Sequence, residues 1–400
     1  ITNTGALPSS FVNAAGATLR IGSAAGITNG GGGNIQTDNR TYSAAANYVY
    51  NGVANQATGS GLPTNLAGSL TIDNPGNTVT LSLNRTIANG GTVNIVNGTF
   101  ARADRLTMLS NSTINRSGGS MTSGTGALNA ASGVYDVNYS GNSMSTTVEV
   151  TGANLRDVTV TLNADQVLTW VGTNTVDRNL SISTGSYFDL GANLTVTGTT
   201  TIAAGGYFDQ GCTRAFVATG GINLSGGYLN CNSSTVGGSG NLTAGGITVN
   251  AGGSFDFVGA AAGTPTITLN GNVVNNGIMR IWGGGRNGTG SPVCPGAPLT
   301  VVTSAVLRSW SGAGNFHLTN LSLTRQNATI PITAWNSTNT LGNAGSWTFT
   351  SGTCEYASPT AIKLSSFAAA HTGKGVRISL KTSRDVNNLG FNLYREANGQ

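Results

Sequence analysis

Charge is what this sequence has least of. Charged side chains make up 8% of the 400 residues, roughly a third of the usual share in a soluble domain. Lysine occurs only at Lys363, Lys374 and Lys381, and glutamate only at Glu149, Glu355 and Glu396. Exposed helices draw on those residue types, so their scarcity predicts an all-β chain. The net charge of +5 is mostly a tail property, since Lys363, Lys374, Arg377, Lys381, Arg384 and Arg395 face only Asp385 and Glu396 there. No cationic face remains in the rest of the chain, so nucleic acid is not expected as a partner. Nor is there a run of 18 apolar residues, which leaves no membrane-spanning helix. The start at Ile1, without a basic and then apolar leader, reads as a mature or excised piece.

Catalytic motifs are equally sparse. The two histidines, His317 and His371, lie far apart. No GxSxG elbow or HExxH pair occurs, and the absence of lysine before Lys363 excludes a phosphate-binding P-loop upstream of it. The expectation is a chain that is not an enzyme. Four cysteines are present, with no CxxC spacing, so a thiolate metal site is not expected. Their even number points to disulfides in an oxidising compartment, as Cys212–Cys231 and Cys294–Cys354, with four unpaired thiols as the alternative.

What is abundant is glycine, 60 residues of it, together with Thr, Ser and Asn. Thr suits a pleated strand, and Gly and Asn suit corners. Four segments align: Leu180–Asp189, Thr201–Asp209, Ile222–Asn230 and Ile247–Asp256, with a fainter copy over Val273–Ile281. Each is a short alternating strand, a glycine corner, and then a large apolar residue opening a second strand. Phe188, Phe208, Leu229, Phe255 and Met279 fall at equivalent places, 20, 21, 26 and 24 residues apart. That period fits one coil of two or three strands. Coils stacked ~4.8 Å apart would turn those five residues into an interior core ladder. A sandwich of repeated hairpins is the alternative. Cys212 and Cys231, 19 residues apart, would then lie on adjacent coils and staple them. Segments 70–81, 91–100 and 142–171 have the same alternating texture. Residues 283–298, rich in Gly and Pro, look like a break in the stack.

Polysaccharide cleavage is the enzymatic competitor, because it needs paired carboxylates or calcium-bound acids. Asp189, Asp209 and Asp256 recur after the core aromatic and align with Asn230. Stacked in this way they could hold calcium. The plainer reading is that alternation turns them to solvent. N-x-S/T triplets at Asn84, Asn97, Asn111, Asn179, Asn193, Asn223, Asn241 and Asn320 leave glycosylation open, although corner asparagines serve first as turn and ladder residues.

Tyr48–Pro63, followed by Leu70–Asn74 and the strands of Val79–Asn97, resembles a module of large secreted bacterial surface proteins, adhesin-like and common in the Bacteroidetes. At the other end, Leu364–Ala369, Gly375–Leu380 and Ser383–Arg395 are similar to the start of an Ig or fibronectin-III-like sandwich that follows the solenoid in such proteins. The resemblance implies a cell-surface or extracellular location and partners that are glycans, surfaces or further copies of the chain. The expected layout is a Gly-rich entry or first coils at 1–40, a parallel β-helix or β-solenoid at 41–290, a capping region with Cys294 and Cys354 at 291–358 and an incomplete fibronectin-III-like module at 359–400. The expected role is an adhesive shaft, with a self-assembling filament subunit and a polysaccharide-acting enzyme as alternatives.

Overall fold

The computed structural model describes residues 8–28, 35–123, 126–129, 134–211, 213–231, 240–259, 265–284, 297–303, 306–351, 364–372 and 375–382. It is all-β, 57% strand, and winds into a β-solenoid of about 11 turns. Each regular coil has three strands, as in Leu180–Ile182, Ser186–Leu190 and Leu194–Val196. The next coil repeats them in parallel register at Thr200–Ala203, Tyr207–Asp209 and Phe216–Ala218. The third wall alone is a parallel sheet of eight strands, from Asn174–Val176 to Thr338–Leu341. In the first half of the chain two walls merge into long bent strands such as Ser69–Thr80 and Thr92–Ala101.

Alternation decides what lies inside. Along Leu168, Phe188, Phe208, Leu229, Phe255, Met279 and Phe316, consecutive residues are register partners on successive coils. Phe188, Phe208, Leu229, Phe255 and Met279 are all fully buried. Phe188 and Phe208 stack with centroids 5.1 Å apart, and Phe208 meets Phe216 of the third wall at 4.7 Å. No coil can bury these rings alone, so the core exists only between neighbours.

Glycine is required at two corners for different reasons. Gly185, Gly205, Gly226 and Gly252 form one ladder with φ of +75°, +74°, +82° and +80°, a left-handed backbone that other residues adopt at a cost. At the other corner Gly198, Gly220, Gly245 and Gly271 pack against the preceding coil. A Cβ there would fall 2.1 Å from the carbonyl oxygen of Arg178, 2.5 Å from the carbonyl carbon of Gly198, and 1.8 and 1.5 Å from the oxygens of Thr219 and Gly245.

The stack runs further in both directions than 41–290. Thr18–Ile21 pairs with Asn47–Tyr50. Beyond 290, Leu299–Val302 continues the third wall in register with Thr266–Leu269. The aromatic-rich region past it adds coils: Trp310 is fully buried above Val273, and parallel pairing persists to Phe349. Residues 285–296 fall outside the described residues, but the coil resumes in phase after them. At the C-terminus Leu364–Thr372 and Gly375–Thr382 form an antiparallel pair. The rest of the fibronectin-III-like motif, 383–395, lies outside the described residues.

One buried polar knot interrupts the apolar interior. Glu149 is fully buried and accepts from Arg116 Nη1 at 2.6 Å, Tyr139 Oη at 2.8 Å and the Thr147 amide at 3.0 Å. Arg116 in turn donates to the carbonyls of Gly119 and Ser145. Burial and the neighbouring carboxylate push the Tyr139 phenol well above its ordinary value. The pair is thus hydrogen-bonded on both sides, which a buried charge requires.

Candidate functional site

The outward side of the second wall carries the chemistry. Between the buried ladder residues, side chains pointing away from the core form their own columns. One runs Thr169, Asp189, Asp209, Asn230, Asp256, Arg280 and His317. The other is Val167, Tyr187, Tyr207, Tyr228 and Ser254. The strand that begins after a glycine corner puts the tyrosine outside, the phenylalanine inside and the aspartate outside again. This is why Tyr-Phe-Asp triplets at one period generate both columns.

These columns are not simply solvated. Asp189 and Asp209 are half-buried, whereas Asp256 is 8% exposed and Asn230 2%. Turning to solvent therefore fails for Asp256, which Arg280 Nη1 contacts at 2.9 Å and to which Tyr228 Oη donates. Burial first, and the Asp256 carboxylate second, push the Tyr228 phenol far up, so it stays a donor. Asp209 Oδ1 accepts from the Gly211 amide at 2.9 Å, and Asn230 Nδ2 donates to Tyr207 Oη at 2.8 Å. Tyr187 and Tyr207 meet edge-on at 5.4 Å, and Tyr207 and Tyr228 meet tilted at 5.0 Å.

Asp189 and Asp209 thus stand on adjacent coils, while Asp256 lies two coils beyond Asp209 and is engaged by Arg280. The three aspartates do not converge on one point, and among the described residues no group of three His, Cys, Asp or Glu side chains comes together. Cys231 is buried on the coil of Asn230, in register with Phe257, and Gln210 lies level with it one coil earlier, its backbone N–H donating to the Asn230 carbonyl. Cys212, Cys294 and Cys354 lie outside the described residues, so the expected Cys294–Cys354 pair falls there entirely and the Cys212–Cys231 pair through its first cysteine. His371 belongs to the C-terminal strand pair, far along the chain from His317.

The first wall presents a different surface. Its outward column reads Thr71, Asn94, Asn115, Asn138, Thr159, Ser181, Thr201, Asn223 and Thr248, one residue per coil and uncharged throughout. Amides bond from coil to coil, Asn138 to Asn115 at 3.0 Å and Asn115 to Asn94 at 2.9 Å. Several glycosylation-type asparagines do the same work. Asn179 Oδ1 accepts from Thr199 N, Asn193 Oδ1 from Ala215 N and Asn241 Oδ1 from Thr266 N. A shallow polar depression of about 390 Å³ opens on this wall, lined by Thr199, Gly221, Asn223, Gly246, Thr248 and Asn250 among others.

The tyrosine column, Arg280 and the Glu149–Arg116 pair were not among the residues that sequence reasoning selected. The tyrosines had a readable signal, since Tyr187, Tyr207 and Tyr228 immediately precede the ladder residues Phe188, Phe208 and Leu229. Arg280 had none, because it stands at the place where the other copies of the repeat carry Asp or Asn. No helix among the described residues is long and apolar enough to cross a membrane. Comparison with known proteins gives no match: no family model, no curated protein and no solved structure is significantly similar to the chain.

Proposed function

We propose that the chain is an extracellular structural and adhesive element, a β-solenoid shaft that displays uncharged, hydroxyl- and amide-rich walls to glycans or other surfaces. The observation that carries this reading is the outward column from Thr71 to Thr248. It is a neutral polar array repeated once per coil on a scaffold whose core forms only between stacked coils. Hydroxyls and amides are the groups that exchange hydrogen bonds with a neutral polysaccharide, and the depression at Thr199, Asn223 and Thr248 offers such a ligand a place to lie. In this reading the chain holds its ligand and leaves it chemically intact.

The test is co-sedimentation with insoluble neutral and acidic polysaccharides, with release of reducing ends measured in the same tubes. Retention on a neutral polysaccharide without cleavage supports the reading. Cleavage, or retention on none of them, overturns it.

A second reading is a filament subunit. Thr338–Leu341, in the last coil of the third wall, is exposed along its length, with Leu341 58% exposed, and pairs on one side only with Leu321–Thr324 among the described residues. A one-sided strand is a template for another chain. Electron microscopy distinguishes the two, since long regular fibres favour the filament and separate particles the shaft.

A further inference from the structure

The column on the second wall points to a ligand that the shaft reading does not use. Asn230 is 2% exposed, and its amide oxygen is buried without a hydrogen-bond partner, although its nitrogen is held by Tyr207. A buried acceptor left in that state costs about 1–3 kcal/mol. Register places Asn230 beside Asp209, and Asp209 beside Asp189. Three oxygen-bearing side chains thus follow one another on three coils. At the fourth coil the column is closed, because Asp256 is taken by Arg280.

We propose that Asp189, Asp209 and Asn230 form a binding site for a hard divalent cation of the calcium class, held across three successive coils. The donor set is all oxygen, with neither imidazole nor thiolate, which selects calcium-like ions over zinc or copper. The span sets a demand. Coils repeat at ~4.8 Å, so Asp189 and Asn230 start ~9.6 Å apart on either side of Asp209. Both side chains must lean toward Asp209 to bring their oxygens within the ~5 Å that two ligands of one calcium, each at ~2.3–2.6 Å, can span. Two carboxylates and an amide oxygen leave room for water to complete the six to eight ligands such an ion takes. The ion would relieve the repulsion between adjacent carboxylates, give the Asn230 oxygen its partner, and tie three coils together.

The experiment uses the full chain stripped of metal, with calcium chloride titrated in a calorimeter and thermal unfolding followed in parallel. Saturable binding and a rise in Tm are expected. Asp189→Asn and Asp209→Asn, which keep side-chain shape, should each weaken binding at least ~10-fold with an unchanged circular dichroism spectrum. Asn230→Asp adds a ligand charge, so it should lower Tm without calcium and enlarge the calcium-induced rise. Absence of heat and of any Tm change up to about 10 mM calcium, or undiminished binding in the Asp189→Asn/Asp209→Asn double variant, overturns the site. Should the Asn variants not fold, Asn230→Asp decides alone, because a calcium-induced rise no larger than that of the unaltered chain contradicts the proposal.

Discussion

Phe188 and Phe208, 20 residues apart in the chain, are register partners on adjacent coils and stack at 5.1 Å with an interplanar angle of 20°. Phe208 also meets Phe216 at 4.7 Å, so it is shared between two coils and two walls. Phe208→Ala removes contacts on every side and should cost about 3–5 kcal/mol. Urea unfolding of the two proteins checks this. A loss below 1 kcal/mol would mean that the ring is not in a packed interior.

Close approach at the glycine corner makes a sharper contrast. Gly245→Ala puts a Cβ 1.8 Å from the Thr219 carbonyl oxygen, whereas at Gly22 a Cβ meets nothing within 4 Å. The first substitution should destabilise by more than about 1–3 kcal/mol, or prevent folding. The second should stay within about 0.5 kcal/mol. Paired thermal melts of the two variants test whether the coils approach as closely as this corner demands.

The buried pair gives a non-additive prediction. Arg116→Met leaves the fully buried Glu149 without its cation and should cost about 3–5 kcal/mol. Adding Glu149→Leu removes the orphaned charge and should recover part of that loss. A double variant less stable than Arg116→Met would contradict the assignment of the pair as a mutually dependent unit.

Acid stability carries a sign. Burial pushes Asp157 up, but hydrogen bonds from Arg178 at 2.8 Å and from the Asn179 amide, with the charges of Arg178 and Arg156, more than offset it, and its folded pKa is lowered. A depressed carboxylate stabilises the fold above its unfolded pKa of about 3.9, and that contribution fades as pH falls through the folded value. Asp157→Asn should therefore be less stable than the unaltered chain at pH 7 and converge with it in acid. Melting curves from pH 7 to about pH 2 check this; a gap that widens in acid would reverse the sign.

Much of this architecture was legible because stacking repeats. The aligned segments from Leu180 to Ile281 hold one residue per coil at each place, so position in the period translates directly into register. The break expected over 283–298 was misleading for the same reason. Gly and Pro mark a corner as readily as an end, and only the pairing of Leu299–Val302 with Thr266–Leu269 shows that the coil resumes. The outward columns were half legible. Alternation gives the side on which Asp256 points, but its burial depends on Arg280 and Tyr228, a meeting of coils that no local pattern encodes. Glu149 and Arg116, 33 residues apart with neither in a repeat, left no trace in the sequence.

Register itself is open to a ruler. Spin labels on cysteines introduced at Thr159 and Thr248 stand four coil steps apart in the outward column, and labels at Asn94 and Thr248 seven. At ~4.8 Å per coil, double electron–electron resonance should return mean separations near ~19 Å and ~34 Å. Distances that grow by one increment per coil would establish the parallel stack. Separations that do not increase with the number of coils between the labels, as in a sandwich of hairpins, would contradict it.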